Sequence, residues 1–333
     1  MRVVVTGGAG YIGATTVQAL LDSGHEVVVY DNLSKGYADA VPSDAKLVRG
    51  EIADRAAIDS LFREHRPEAV FHFAALIEAG ESMKVPERYF RNNSASTLTL
   101  LEAMLAHGIG KFIFSSTAAL YGNPQRVPIQ EDDELKPTNV YGESKLLVEQ
   151  MVRWFHRIHG LRYSSLRYFN AAGSNGRTGE LHNPESHLIP LILQAASGKR
   201  EHISLFGTDY PTKDGTCIRD YIHVSDLADA HVLALEALGS RDQLIYNLGS
   251  GTGFSVREVV QSARRVTGKT VKEVETARRP GDPAVLVASS EKIRRELGWK
   301  PKYPNLDDIV ASAWEWMQQH PQGYVELAST RSS

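Results

Sequence analysis

The chain has 333 residues, 42% of them hydrophobic and 23% charged, with a formal net charge of −3. That length suits two lobes or one large α/β unit, and the near-neutral charge gives no electrostatic reason to expect nucleic acid or an anionic membrane as partner. A single cysteine, Cys217, excludes an internal disulfide framework and any multi-cysteine zinc site.

No apolar run reaches the roughly 18 residues of a membrane span. Met1 to Gly7 runs straight into strand and turn with no signal-peptide pattern, so a cytoplasmic enzyme is expected. In chain order, Val3 to Val5 reads as a strand, Ile12 to Ser23 as a helix closed by Gly24, and Glu26 to Tyr30 as the next strand. Leu47 to Arg49, Ala69 to Phe73 and Phe112 to Ser115 are further strands, separated by helical patterns near Ala56 to Glu64 and Thr97 to His107. Asn139 to His159 is a long helical segment and Tyr163 to Tyr168 another strand. These strands lack polar alternation, as expected of a parallel sheet covered on both faces.

After Asn170 the rhythm loosens. Gly173 to Pro184 reads as loop, followed by a helix near Leu188 to Ser197 and a strand near Ile203 to Phe206. A helix at Ser225 to Leu238, a strand at Ile245 to Leu248 and a helix at Val256 to Thr267 complete the pattern. The fold class expected is α/β: a doubly wound Rossmann-type parallel sheet with a smaller α/β substrate-binding lobe. Two domains are expected: a first of residues 1–170, to which segments near 221–250 return, and a second of 171–220 with 251–330.

Gly8-Ala9-Gly10-Tyr11-Ile12-Gly13 fits the G-x-G-x-x-G turn directly after a strand and opening a helix. Such a turn brings a pyrophosphate close to backbone N–H groups at a helix start, where the dipole favours anions. Asp31 ends the second strand, where a carboxylate accepts hydrogen bonds from a ribose and repels a 2′-phosphate, so NAD is expected rather than NADP. The bland alternative is a glycine turn that serves only helix packing.

Tyr141 and Lys145 stand four residues apart and share a helical face. A free phenol, with a pKa of about 10, is a poor base at neutral pH. A nearby ammonium and an oxidised nicotinamide both favour the phenolate. Thr117 ends the strand of Phe112 to Ser116, at the carboxyl edge where doubly wound sheets place ligands, with its hydroxyl available to relay the proton. Taken singly, each feature has an ordinary structural explanation; together, behind a glycine turn, they point to proton chemistry beside a nicotinamide.

The segments Thr6 to Gly13, Ser115 to Gly122, Tyr141-x-x-x-Lys145 and Arg167-Tyr168-Phe169-Asn170 are shared with a known group of proteins. So are Asp214 to Val224, Tyr246 to Gly251 and Arg278-Arg279-Pro280-Gly281-Asp282. Through nearly its whole length the chain resembles the UDP-hexose 4-epimerase branch of the extended short-chain dehydrogenase/reductase superfamily. The resemblance implies reversible epimerisation at C4 of a UDP-hexose, UDP-galactose to UDP-glucose, through a 4-keto sugar with transient hydride transfer to bound NAD.

By the same resemblance Thr117, Tyr141 and Lys145 are the catalytic groups. The NAD site is implied to comprise Gly7, Gly10, Tyr11, Ile12 and Gly13, then Asp31, Asn32, Leu33 and Ser34, then Glu51 and Ile52. Phe73, Ala74, Ala75, Ile77, Asn92, Ser115 and Tyr168 complete it, beside Tyr141 and Lys145. Thr117, Phe169, Asn170, His187, Leu188, Arg219, Arg279 and Asp282 are implied to hold the UDP-sugar, the arginines through planar donors on the diphosphate. Ordinary ion pairing of Arg219 with Asp220 is the competing reading. Glu51, Ile77 and His187 stand where many or some relatives carry Asp, Lys and Asn. Leu286 falls where side-chain size sets room beside the sugar C2. A homodimer through the helices near Thr97–His107 and Asn139–His159 is also implied, although Leu98, Leu101, Leu105, Leu146 and Val152 equally fit ordinary core.

Dehydratase and decarboxylase relatives carry a carboxylate soon after the Ser/Thr, whereas Ala118-Ala119 here offers none. Epimerisation of UDP-N-acetylglucosamine or UDP-glucuronate, and a non-catalytic NAD-binding regulator, stay open as alternatives. No metal site is expected, since His156 and His159 share a helix face without an evident third ligand.

Overall fold

The structure, a computed structural model, describes residues 1–279 and 282–324. Pro280 and Gly281 of the Arg278-to-Asp282 segment, and residues 325–330 of the expected second domain, lie outside the described residues.

The strands in chain order are β1 (Arg2–Thr6), β2 (Glu26–Asp31), β3 (Lys46–Arg49), β4 (Ala69–His72), β5 (Lys111–Thr117), β6 (Arg162–Tyr168) and β7 (Asn170–Ala172). They continue as β8 (Ile203–Phe206), β9 (Ile218–His223), β10 (Gln243–Leu248), β11 (Gly253–Ser255), β12 (Glu273–Thr276) and β13 (Val285–Leu286). Among the described residues, a seven-stranded parallel sheet runs in the order β10-β6-β5-β4-β1-β2-β3. The order reverses between β1 and β4, and doubly wound sheets open their ligand crevice at such a switch point.

Successive side chains explain why β1 is apolar throughout. Val3 and Val5 face one layer of core and Val4 the other, and all three are fully buried. Helices Tyr11–Asp22 and Val224–Ala237 cover the first face through Val17, Leu20, Leu227 and Leu235. Helices Arg55–His65, Ser96–Ala106 and Val140–His159 cover the second through Ile58, Leu101 and Val152. The strand and helix at 224–248, late in sequence, thus sit in and on the large sheet.

A smaller layer gathers around β9, which pairs with β7, β11 and β13. With helices Leu188–Ala196, Val256–Thr267 and Leu306–Gln319 it encloses a separate core of Ile192, Leu205, Val260 and Ile309. β8 and β12 form a parallel pair beside it. The resulting mixed α/β architecture is the fold class read from the sequence.

The helix of Tyr141 begins where Asn139 accepts a hydrogen bond from the Gly142 N–H at 2.8 Å. Behind it, Ser116 donates to Glu149 at 2.6 Å, and Arg167 pairs with the same carboxylate through Nη2 at 2.6 Å, both side chains 3% exposed. Arg167 also donates to the Tyr121 hydroxyl, which donates to Asn247. Because each member is satisfied, this buried network holds β5, β6 and β10 in fixed relation to the helix.

Candidate active site

The glycine turn lies at the carboxyl end of β1. Gly7 has φ +72°, and a Cβ there would stand 2.4 Å from the Ala74 nitrogen; at Gly13 it would stand 2.2 Å from the Gly7 carbonyl oxygen. Both glycines are therefore required by the chain itself. Gly10 differs, since a Cβ would meet only Gly7 O at 3.4 Å, yet Gly10 lines the main cleft. The helix Tyr11–Asp22 that follows has no side-chain cap. A smooth surface and uncapped N–H groups at a helix start fit a dinucleotide pyrophosphate.

Asp31 is buried at the end of β2, where Oδ2 accepts from Ala9 N–H at 3.0 Å and Oδ1 from Leu33 N–H at 2.8 Å. Burial raises its pKa, against the two backbone donors. As an acceptor with lone pairs to spare, it faces the cleft along with Asn32, Ser34, Glu51 and Ile52. Asn32 donates to both Glu51 oxygens, at 3.0 and 3.1 Å. Leu33, held at φ +60°, is not on the cleft wall.

Across the switch point, β5 delivers Ser115 and Thr117, and the helix Val140–His159 delivers Tyr141. Thr117 and Tyr141 share the cleft wall. Tyr168 donates to the Ser115 hydroxyl. Lys145 lies beneath the wall, 2% exposed, with Nζ donating to the Ser115 carbonyl at 2.8 Å and standing 4.8 Å from the Phe114 ring centre.

The electrostatics depart from the sequence expectation that an ammonium draws the phenol down. Burial lowers the Lys145 amine from 10.5 to about 7. It also pushes the Tyr141 phenol up to about 12, with the Thr117 hydrogen bond opposing and Glu78 adding to the rise. The amine spends its hydrogen bond on a backbone carbonyl, and desolvation penalises both charged forms together.

Phe73, Ala74, Ala75, Ile77, Asn92, Ser115 and Tyr168 lie on the same cleft as the glycine turn, and so do Phe169, Asn170 and His187. Leu188, Arg219, Arg279 and Asp282 do not line it. Arg219 pairs with Asp282, not with Asp220. Asp220 is fully buried and accepts from Ser250, Gly251 and Ala288 N–H groups, at 2.8, 3.1 and 3.0 Å. Asn170 donates to the Asp220 carbonyl at 2.8 Å, and Arg279 stacks 4.0 Å from the Phe206 ring centre. His187 approaches Glu180 at 2.9 Å and Glu185 at 3.3 Å. Burial alone would lower its pKa, but the two carboxylates raise it well above the usual imidazole value.

Residues 3–249 match the model of the NAD dependent epimerase/dehydratase family. The chain belongs to that family. It is 54% identical to a UDP-glucose 4-epimerase of Halalkalibacterium halodurans, over 97% of this chain and 98% of that protein. It is also similar to a crystal structure of a UDP-glucose 4-epimerase at TM-score 0.95 and 49% identity, covering 98% of this chain and all of that one. A UDP-glucose 4-epimerase from Bifidobacterium longum, solved with NAD+ and UDP, superimposes at TM-score 0.93 with 37% identity, covering 97% and 100% of the two chains. The chain is accordingly an NAD-dependent enzyme.

Family membership does not account for everything on the cleft wall. Lys35, Tyr37, Glu78, Glu180, His182 and Tyr324 line it too, and the sequence reading named none of them. Tyr37 stacks on Tyr324 with ring centres 4.9 Å apart, a pairing too distant in sequence for spacing to reveal. Glu78 accepts from Ser186 at 2.7 Å and faces Tyr141, so a carboxylate reaches the site from a different segment than the Ala118-Ala119 stretch. The run His182-Asn183-Pro184-Glu185-Ser186-His187 carries a sequence signal of its own, two histidines flanking a glutamate. His156 instead bonds the Leu161 carbonyl at 3.0 Å.

Proposed function

We propose that this enzyme interconverts UDP-galactose and UDP-glucose by epimerisation at C4, with Tyr141 as the proton acceptor and donor. The observation that carries this reading is that Thr117 and Tyr141 stand on one wall of the cleft that begins at the glycine turn, with Thr117 acting to lower the pKa of the phenol. When bound in the cleft of the glycine turn, NAD+ would supply the hydride acceptor and donor that passage of C4 through a ketone requires.

Tyr141 removes the proton of the 4-hydroxyl and returns it to the oxygen when the opposite configuration forms. Thr117 shares that proton and offsets part of the burial that opposes the phenolate. Lys145 fixes the floor, tying helix to strand through the Ser115 carbonyl. At the nucleotide end, Arg219 and Arg279 bind the diphosphate, Asp282 a ribose hydroxyl, and Asn170 orients the sugar. The Arg219–Asp282 ion pair supports this grouping, since it keeps a guanidinium and a hydrogen-bond acceptor side by side.

The same proposal divides the chain into an NAD-binding domain, 1–170 with 221–250, and a nucleotide-sugar domain. The place of β10 in the large sheet supports that division. It also includes a homodimer. Leu101, Leu146 and Val152 are core, but Leu98 and Leu105 are exposed on one helix, as are Trp154 and Ile158 on the next, which leaves an apolar face for a second copy. A cytoplasmic setting fits the lone thiol. Among the described residues, no helix is long and apolar enough to cross a membrane.

Product analysis with UDP-galactose, UDP-N-acetylgalactosamine and UDP-glucuronate supplied separately tests the substrate. The C4 epimer from UDP-galactose at the highest kcat/KM is expected; a clear preference for either other sugar would reassign it.

A further inference from the structure

We propose that Glu180, His182, Glu185 and His187 form a site for one divalent transition-metal cation of the zinc class, which locks segment 179–187 onto the wall of the cofactor cleft. One donor atom from each of the four side chains lies within 4.8 Å of all the others. His187 Nδ1 stands 2.9 Å from Glu180 Oε1 and 3.3 Å from Glu185 Oε1; His182 Nδ1 stands 3.5 Å from Glu180 Oε1 and 3.7 Å from Glu185 Oε2. Around a tetrahedral metal with ligands at about 2.0–2.1 Å, neighbouring donors stand about 3.3–3.4 Å apart. The four separations straddle that edge length.

A second observation separates a cation site from a plain cluster of ion pairs. His182 Nδ1 is sealed from solvent and makes no hydrogen bond, although carboxylate oxygens flank it. A protonated nitrogen there would be expected to turn toward one acceptor; an unprotonated one leaves its lone pair among the carboxylates, where a cation would take it. Charge balance agrees. Glu180 and Glu185 have side chains only 8% and 7% exposed, and among the described residues neither forms an ion pair with a lysine or arginine. Two carboxylates and two neutral imidazoles around a dication give a neutral, partly buried unit, with His187 at its 40%-exposed edge.

The donors are also held in place. Glu185 Oε1 accepts from the N–H groups of Ser186 at 2.8 Å and His187 at 2.9 Å, and Oε2 from His182 N–H at 3.3 Å. Such outer contacts orient ligands and tune affinity. Two imidazole nitrogens with two carboxylate oxygens suit zinc, whereas calcium and magnesium seek six or more oxygens. The segment is tied to the cleft by Lys35 Nζ on the Asn183 carbonyl at 2.8 Å and by the Tyr324 hydroxyl on Gly179 at 3.0 Å. A bound cation would complete that fastening and fix His182 and His187 in the wall.

The test uses tag-free full-length protein, stripped with chelator and then titrated with Zn2+ alone or Co2+ alone. After desalting, about one equivalent of zinc per chain should remain by mass spectrometry, and the cobalt form should show the intense visible bands of four-coordinate cobalt(II). His182→Ala and Glu185→Gln should each weaken binding by more than the roughly 10–100-fold that losing an outer-shell partner costs, while the His156→Ala/His159→Ala double variant should bind as the parent does. Chelation should lower the melting temperature of the parent and leave that of His182→Ala unchanged. No retained metal in the parent, or equal retention in His182→Ala with native circular dichroism, would overturn the site. If a ligand variant does not fold, the parent's stoichiometry and cobalt spectrum decide. Epimerisation is not among these readouts, so failure here leaves the proposed reaction untouched.

Discussion

Lys145 Nζ donates a 2.8 Å hydrogen bond to the carbonyl of Ser115, two residues before Thr117, so the catalytic helix and the catalytic strand are joined under the cleft. The joint is expensive to keep charged. Its amine, normally at 10.5, is lowered to about 7 by burial. Between those values the unfolded chain holds a proton that the folded chain has released, so unfolding free energy rises with pH across the window. Below about pH 7 the full cost is felt. Urea unfolding of NAD-free protein should show the parent gaining stability on Lys145→Met from about pH 7 toward 10.5. Parallel curves for the two proteins would mean that Lys145 is not held as described.

Thr117 is the one group that lowers the pKa of Tyr141 against burial. Thr117→Val removes that hydroxyl, so the phenolate forms at higher pH. The acidic limb of the kcat/KM profile should move upward, and activity near neutrality should fall about 10–100-fold, the range for one charge-assisted hydrogen bond. An unchanged limb would remove Thr117 from the proton path.

Two glycines of one turn should separate stability from cofactor binding. Gly7→Ala forces a Cβ against the Ala74 backbone at φ +72° and should cost more than about 1 kcal/mol of stability. Gly10→Ala meets no such obstacle in the protein, so its melting temperature without NAD should stay near that of the parent while NAD affinity drops. Calorimetric titration with NAD checks this. Equal affinity in Gly10→Ala would show that the pyrophosphate does not approach that backbone.

Much of this architecture was legible because doubly wound sheets write themselves into sequence. Apolar runs such as Val3 to Val5 and helices such as Val256–Thr267 have one reading each, and the helix spans Val256–Thr267 as expected. β9 had no such signal. Its Ile218-Arg219-Asp220-Tyr221-Ile222-His223 buries Asp220 and His223 completely, and a fully buried carboxylate is satisfied only by partners from residues 250, 251 and 288 that spacing cannot supply. The site shows the same division. Tyr141 and Lys145 were visible as a helical pair, but the direction in which burial moves each pKa depends on what covers them. Glu78 and Tyr324 reach the cleft through tertiary packing alone.

The apolar face of the helices Ser96–Ala106 and Val140–His159 gives a separate prediction. Leu105→Glu with Trp154→Glu places charge on side chains that are 46% and 59% exposed in the single chain, so the fold should survive. Light scattering should report a dimer for the parent and a monomer for the double variant. A parent that is monomeric at micromolar concentration would refute the interface.

The central claim rests on one oxygen. With Tyr141→Phe, purified and loaded with NAD, conversion of UDP-galactose to UDP-glucose should fall by about 100–10,000-fold, the range for loss of a positioned acid–base group, while NAD remains bound. Conversion at the parental rate with NAD in place would contradict the assignment of Tyr141 as the proton-transfer group at C4.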